Sequence, residues 1–263
     1  KLPDSVPEMV SESLSSLLAG VIITIVFLIF RALFAVTPYG NATDCIYTII
    51  QTPLQSLTGN LPAFIIIILI AQLLWFFGIH GSMTVLPILF PIWLSYIGDN
   101  TAAMAAGKTI PHVLNIGLWD LANLGGSGAT IGLVILMFFK AKSNQYKSFG
   151  KLTLPCGIFS VNEPVIFGLP VILNPIMLIP FIICPIVLVC LGYALIQFGI
   201  VTAPIGILGL GSMPPLISGI MQGSLSWGIY QLVAVVISII IYYPFFKTID
   251  NQALAKEKGE QGE

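Results

Sequence analysis

Charged residues are scarce in this sequence: Asp, Glu, Lys and Arg together make up only 8% of its 263 residues, against about 25% in an ordinary soluble domain. So few charges cannot cover the surface of a water-soluble chain of this size. Apolar residues make up 57%, and the mean hydropathy is +1.00. The composition therefore predicts an integral membrane protein and disfavours a cytosolic enzyme or a disordered chain. The net charge of -1 offers no cationic surface for nucleic acid.

Cysteine is also rare, and the four cysteines form no CxxC pair. We interpret Cys45, Cys156, Cys184 and Cys190 as small buried apolar residues. Neither histidine has another His, Cys or carboxylate at the spacing of metal ligands, so we predict no metal site and no other cofactor. The glycine-rich residues 125–128 lack the GK[ST] of a phosphate loop, and close helix packing is the better interpretation.

Five apolar segments are long enough to cross a bilayer, whose core of about 30 Å requires about 20 helical residues. Three are clean, at residues 14–34, 61–79 and 225–246; a fourth joins residues 131–139 to the small residues 125–130, and a fifth covers residues 175–198. Residues 41–59 alternate apolar and polar positions with the period of an amphipathic helix at the membrane surface. The sequence therefore predicts an all-α protein with several spans and one interfacial helix.

Basic residues give the orientation of these spans. Residues 140–151 contain four lysines and no acid, and the tail after residue 246 contains three more lysines. Because short cytoplasmic loops are enriched in Lys and Arg, we expect both segments to face the cytoplasm.

Between Lys151 and Lys247 the only Asp, Glu, Lys or Arg is Glu163. Glycines and prolines break the surrounding apolar residues 153–170, which predicts a re-entrant hairpin lining a substrate path. Pro164 suits the start of a half-helix, with Glu163 near the hairpin tip. A carboxylate at membrane depth indicates a functional site, although a structural ion pair with Arg31, Lys108 or a histidine is the alternative.

A second candidate hairpin surrounds His80, which stands between Gly78 and Gly81. We expect Pro87 and Pro91 to interrupt the apolar run beyond it. Gly81 would allow a ligand or another backbone to approach closely. His80 is equally well a ligand-binding residue or a core histidine bonded to a carbonyl. Because such segments converge at transporter sites, we expect His80 and Glu163 to share one cavity.

Residues 108–126 mix amide, carboxylate, imidazole and indole groups. Sugar sites use this mixture, since hydroxyl groups need paired donors and acceptors and the sugar ring packs on an aromatic plane. The candidates are His112, Asn115, Trp119, Asp120 and Asn123. Each is weak evidence alone.

Four motifs then give the sequence a recognisable order: FFGIHG at residues 76–81, DLANLGGSGAT at 120–130, NEPVIFGLP at 162–170 and YYPFFK at 242–247. Together they resemble the IIC membrane component of the bacterial sugar phosphotransferase system, in the lactose/cellobiose (diacetylchitobiose) family. The resemblance covers most of the chain.

The resemblance implies a permease in the bacterial inner membrane that carries a β-linked disaccharide inward. A cytoplasmic IIB partner, which holds the phosphoryl group on a cysteine, phosphorylates the sugar. It also implies that His80 and Glu163 line the sugar site, where Glu163 orients or deprotonates the sugar hydroxyl. We expect Gly81, Asn162, Asn123 and Asp120 to bind the substrate with them.

The same resemblance divides the chain into a polar segment at residues 1–13, a membrane-embedded transport domain at 14–247 and a cytoplasmic tail at 248–263. The polar, acidic start lacks the features of a signal peptide, and we interpret it as internal to a longer protein. The resemblance also implies that complete family members are homodimers that associate through amino-terminal helices. We interpret this chain as lacking those helices, so we do not expect it to dimerise in that way. Gly211 and Ser212 stand where many relatives have Trp-Thr.

Two other functions fit the same residues. An ion-coupled secondary transporter would use Glu163 as its proton or cation site, and an inactive truncated permease would show no uptake.

Overall fold

The computed structural model describes residues 8–46, 59–169 and 171–260, and their regular secondary structure is helical. The expected all-α fold class is therefore confirmed. The chain divides into two compact units, residues 1–55 and 56–263.

The first unit contains α1 (Glu8–Ala35) and the short α2 (Ala42–Ile46). Helix α1 covers the span expected at residues 14–34, and apolar side chains such as Phe27 and Leu33 are exposed around it. A helix that is apolar on all sides suits a lipid environment. Of the interfacial helix expected at residues 41–59, residues 47–58 lie outside the described part of the chain.

The second unit contains the remaining helices. They are α3 (Leu61–Phe76), α4 (Gly81–Ala105), α5 (Ile116–Ala122), α6 (Ile131–Lys140), α7 (Asn144–Ile158), α8 (Glu163–Gly168), α9 (Pro175–Gln197), a 3-10 turn (Leu210–Ser212), α10 (Ile217–Met221) and α11 (Leu225–Glu260). Helices α4, α9 and α11 are long and apolar enough to cross a membrane, whereas α3 and α6 are shorter apolar helices. Helix α6 packs against α7 and α11, and α9 packs against α3, α5 and α11.

Prolines interrupt this fold less than the sequence suggests. The expectation that Pro87 and Pro91 break the segment after His80 is wrong, because both lie inside α4. Pro155 likewise lies inside α7, so the break in residues 153–170 begins only at Phe159. A helix proline costs about 3 kcal/mol relative to alanine in water. Neighbouring helices and local adjustments at membrane depth can satisfy the backbone groups that it frees.

Residues 123–130 are here called the glycine turn. The expectation that residues 125–130 extend the span at 131–139 is wrong, because α6 begins at Ile131. Gly125, Gly126 and Gly128 have φ of +79°, +100° and +79°, values that glycine adopts readily and other residues rarely do. Close helix packing was therefore an incomplete interpretation of these glycines.

Helix α11 satisfies much of the buried backbone of the glycine turn. The Tyr242 hydroxyl donates to the carbonyl oxygen of Gly128 at 2.7 Å, and the Ser238 hydroxyl donates to that of Ala129 at 2.7 Å. Inside the turn, the Thr130 hydroxyl donates to the Gly125 carbonyl at 2.8 Å. Irregular backbone is stable in such an apolar setting because other parts of the protein supply its hydrogen bonds.

The lysine-rich end of the unit is also more helical than expected. Most of residues 140–151 belongs to α7, and α11 continues without a break through the expected domain boundary at residue 247. The buried Asp250 carboxylate joins the two elements: it accepts from the backbone N–H groups of Lys142 and Ser143 at 2.8 and 3.1 Å, and from the Ser143 hydroxyl at 2.8 Å.

The cysteine interpretation is correct for only one residue. Cys184 is buried, whereas Cys45, Cys156 and Cys190 are partly exposed.

Tyr242→Phe should lower the free energy of unfolding by about 1–3 kcal/mol, because it leaves the Gly128 carbonyl buried without its donor. Tyr243→Phe is the matched control, since its side chain is 48% exposed whereas Tyr242 is fully buried. Thermal unfolding of both variants in detergent measures the difference. Equal stability of the two variants would contradict the anchoring role of Tyr242.

Candidate functional site

Four segments of the second unit surround a cavity of about 300 Å³, at the lower end of the range for small-molecule sites. They are the α3–α4 junction, α5 with the glycine turn, the residues leading into α8, and the 3-10 turn. The lining residues are Trp75, His80, Ser82, Met83, Trp119, Asp120, Asn123, Gly126, Ser127, Ser160, Val161, Asn162, Glu163, Gly209, Gly211 and Ser212.

His80 is the N-cap of α4. Its Nδ1 accepts a hydrogen bond from the backbone N–H of Met83 at 3.1 Å, and its ring lies against Trp75 with a centroid separation of 4.1 Å. Because Nδ1 is the acceptor, we assign the ring proton of neutral His80 to Nε2. The helix cap thus fixes both the orientation of the ring and the nitrogen that can donate.

Glu163 and Pro164 are the first two residues of α8, so this helix begins where Pro164 predicts a helix start. Its Oε1 lies 3.6 Å from Nε2 of His80. Both side chains are open to the cavity, with 36% of His80 and 48% of Glu163 exposed. The expectation that they share one cavity is therefore confirmed, and the histidine partner considered for Glu163 is His80. Their role in ligand binding stays a prediction.

Asn162 joins Glu163 to the glycine turn. Its amide nitrogen donates to the carbonyl of Ser127 at 2.7 Å and to the hydroxyl of Thr130 at 2.8 Å, and its side chain is buried. Gly126 makes this contact possible, because a Cβ at that position would overlap the Asn162 side chain. In this structure Asn162 therefore positions Glu163, with its amide nitrogen committed to protein acceptors.

A second polar group on the cavity wall is formed by Asn123, Ser82 and Ser127. The side-chain Oδ1 of Asn123 accepts from the Ser127 hydroxyl at 3.2 Å, and the hydroxyl oxygens of Ser82 and Ser127 are 3.1 Å apart. The Asn123 amide nitrogen donates to the Trp119 carbonyl at 2.8 Å, which fixes the orientation of the amide. Serine hydroxyls at this wall can exchange their mutual hydrogen bond for one to a ligand.

Asp120, on the short helix α5, also lines the cavity. Its Oδ2 is buried and has no hydrogen-bond partner among the described residues. Burial raises the pKa of this carboxyl to about 8, because removal from water disfavours the charged form. A Cβ at position 211 would contact the Asp120 carboxylate, so Gly211 provides the space that it occupies.

Three residues considered in the sequence lie elsewhere. Gly81 does not line the cavity, and it allows α4 to contact the Ala71 backbone of α3 closely. His112 stacks on Tyr96 with a centroid distance of 4.0 Å and lies 2.9 Å from Asp99. Asn115 is the buried N-cap of α5 and donates to the Pro204 carbonyl at 2.8 Å.

Several cavity residues were not among the residues predicted from the sequence, most clearly Trp75, Ser82 and Ser127. Each stands next to a recognised feature: Trp75 precedes FFGIHG, Ser82 follows it, and Ser127 lies within the glycine run. A polar or aromatic residue beside a glycine-broken segment was therefore the available signal.

Comparison with known proteins adds independent information. Residues 1–185 match the sequence model of the family described as Phosphotransferase system, EIIC. The lichenan permease IIC component of Bacillus subtilis is 38% identical over 262 residues, which are 98% of this chain and 58% of that protein. The cellobiose-specific EIIC component of Geobacillus stearothermophilus is 37% identical, covering 99% of this chain and 59% of its own length.

A solved structure is similar as well. The crystal structure of the transporter ChbC, the IIC component from the N,N'-diacetylchitobiose-specific phosphotransferase system, matches with a TM-score of 0.77 and 38% sequence identity. The match covers 98% of this chain and 61% of that one. The chain therefore spans less than two thirds of the length of these similar proteins.

Gly126→Ala should destabilise the protein by about 2–4 kcal/mol, since the new Cβ brings both backbone strain and overlap with buried Asn162. Gly199→Ala is the control: Gly199 also has a positive φ, of +70°, but has open space around its Cβ position, so the cost is strain alone, about 1 kcal/mol. Thermal unfolding compares the two variants. Equal destabilisation would show that the Asn162 contact does not hold the site together.

Proposed function

The chain belongs to the phosphotransferase system EIIC family, and from this premise we propose that its cavity binds a β-linked disaccharide for transport across the bacterial cell membrane. The observation that carries the proposal is the facing pair of His80 and Glu163 in a polar cavity. Their 3.6 Å separation leaves both groups available to a ligand. Lichenan, cellobiose and diacetylchitobiose in the names of similar proteins support a β-linked substrate.

A sugar hydroxyl can use both members of the pair. The Nε2–H of His80 donates to the hydroxyl oxygen, and Glu163 accepts the hydroxyl proton. A hydrogen bond to a charged carboxylate is roughly twice as strong as one between neutral groups, so Glu163 would select and orient that hydroxyl. The helix cap at His80 and the Asn162 anchor beside Glu163 would hold the two groups ready before sugar arrives.

The reaction that we propose at this hydroxyl is phosphoryl transfer from the phosphocysteine of a IIB partner. The sugar oxygen forms a bond to phosphorus, the sulfur–phosphorus bond breaks, and the thiolate leaves on IIB. The hydroxyl proton passes to Glu163 if it acts as base, or to water if Glu163 only orients the hydroxyl. The phosphoryl donor lies outside this chain, whose own contribution is to bind and position the sugar.

Two indole rings form part of the cavity wall. Trp75 and Trp119 both line the cavity, but they are only 2% and 4% exposed and so offer a sugar ring little surface to pack on. Gly211 and Ser212 stand where the family resemblance implies a Trp-Thr pair, so this part of the wall supplies no indole to the substrate. The shape of this pocket would therefore differ from that of relatives with the additional indole.

Ion-coupled transport remains the second candidate because the cavity contains two carboxyl groups. Asp120, with its raised pKa, can be protonated near neutral pH, whereas Glu163 is open to solvent. A carrier of this kind would bind sugar and proton together and would need no IIB partner. A chain that does neither would be the inactive permease.

Glu163→Gln should keep the fold but lose most sugar binding and phosphorylation, by about tenfold or more, because the amide accepts a hydrogen bond without the negative charge. Cellobiose binding, and phosphorylation by phosphorylated IIB, are measured in membranes containing the transporter. Glu257→Gln is the control, since that carboxylate caps α7 by accepting from the N–H groups of Asn144 and Gln145, away from the cavity.

Unchanged affinity and phosphorylation in Glu163→Gln would return the residue to a structural role. Loss of proton-gradient dependence, with downhill sugar exchange retained, would instead assign an ion-coupled carrier. Absence of binding and uptake in the unsubstituted protein would identify an inactive permease.

We also propose that the lysine-rich residues 140–151 and the carboxyl end of α11 face the cytoplasm, as the excess of lysine favours. Ser148→Cys, at an exposed position of α7, should resist a membrane-impermeant thiol reagent added to intact cells. Thr109→Cys is the control at the opposite end of the unit, exposed after α4, and should react. Efficient labelling of Ser148→Cys from outside would reverse the topology.

A further inference from the structure

One face of α11 exposes a continuous series of apolar side chains, here called the apolar stripe. Its members are each 44–65% exposed and recur every three or four residues, which places them on one side of the helix: Leu225, Ile229, Leu232, Val236, Ile240 and Tyr243. At 1.5 Å per residue the stripe is about 27 Å long. This length is close to the roughly 30 Å of a bilayer core, so the stripe suits contact with acyl chains.

The apolar stripe ends at a cluster of lysines. Lys247 follows Tyr243 by four residues on the same face of α11, and Lys140 and Lys142 come from the end of α6 and the link to α7. The three lysines and Tyr243 line a cavity of about 200 Å³, here called the lysine cavity. Lys247 lies about 6 Å beyond the end of the stripe along the helix, at the depth of lipid headgroups.

The lysine cavity has more positive than negative charge in its lining. Within residues 8–46, 59–169 and 171–260, none of its three lysines has an acidic partner within 4.0 Å. Asp250 also lines the cavity, but it is only 3% exposed and already accepts hydrogen bonds from the Lys142 and Ser143 backbone and from the Ser143 hydroxyl. Three ammonium groups thus face one committed carboxylate.

The end of α6 also combines an exposed apolar side chain with a lysine. Phe139, immediately before Lys140, is 69% exposed, so an apolar side chain again precedes a lysine at the same end. A tyrosine such as Tyr243 near lysines is typical of the membrane interface, and lysine is a common phosphate ligand. Asp250 holds the Lys142 link against α11, so the site does not need to assemble when an anion arrives.

We propose that the lysine cavity binds the phosphodiester headgroup of an anionic phospholipid whose acyl chains lie along the half of the apolar stripe nearest Lys247. Inorganic phosphate would contact the lysines alone, and an acidic protein would have no need of a neighbouring apolar surface as long as a bilayer core. The continuity between the stripe and the cavity therefore favours lipid. Basic pockets between membrane helices commonly bind anionic headgroups. This site is separate from the sugar cavity.

The test titrates the full chain in detergent with dioctanoyl phosphatidylglycerol, dioctanoyl phosphatidylcholine, inorganic phosphate or polyglutamate. Thermal stabilisation and native mass spectrometry measure binding. We expect selective binding of phosphatidylglycerol, and a loss of affinity of about fivefold for Lys247→Gln and roughly a hundredfold for the triple variant Lys140→Gln, Lys142→Gln, Lys247→Gln, since each interfacial lysine contributes about 1 kcal/mol.

The control triple variant Lys147→Gln, Lys151→Gln, Lys256→Gln removes the same charge from lysines that do not line the cavity, and it should retain the lipid preference. Replacing the three cavity lysines by arginine should also retain it. Lys247→Gln, at an exposed position, keeps the test valid if the triple variant misfolds. Equal losses in the cavity and control variants, equal binding of the two lipids, or equally strong binding of phosphate or polyglutamate would overturn the proposal.

Discussion

The site depends on one constraint: irregular backbone between apolar helices must find its hydrogen bonds inside the protein. The glycine turn meets this requirement with donors from distant parts of the chain. Tyr242 and Ser238 donate to it from α11. Asn162, the residue immediately before Glu163, donates to it as well. Because Asn162 bonds to the turn on one side and precedes Glu163 on the other, the backbone requirement and the position of the cavity carboxylate are coupled.

The same constraint explains which parts of the fold the sequence could predict. Span-length helices such as α9 and α11 follow from apolar length alone, and the start of α8 follows from Pro164. The sequence does not predict that α4 stays helical through Pro87 and Pro91. Neighbouring helices offset the cost of a helix proline, and these neighbours are known only from the folded structure. The prediction that residues 125–130 extend α6 was wrong because glycine, which favours close helix packing, also permits the positive φ of a turn.

The candidate site was predictable where chemistry and chain breaks coincide. His80 and Glu163 are ionisable groups in glycine- or proline-broken apolar segments, and the structure brings them within 3.6 Å. Asn162 and Gly81 lie in the same segments but make internal contacts, and no property of a single residue type distinguishes such a support from a ligand contact. Ser82 and Ser127 carry too little chemical signal to be found without their neighbours.

Placing the donors of the glycine turn on α11 has a mechanical consequence. Helix α11 also bears the apolar stripe and Lys247, so the element proposed to contact lipid is the element that holds the backbone beside the proposed sugar cavity. Its two faces are distinct: Ser238 and Tyr242 are buried towards the turn, whereas Ile240 and Tyr243 are exposed. A lipid bound at the lysine cavity would therefore restrain the outer face of α11 without competing for the donors on its inner face. Restraint of this helix would favour the geometry in which Asn162 and Glu163 are already aligned.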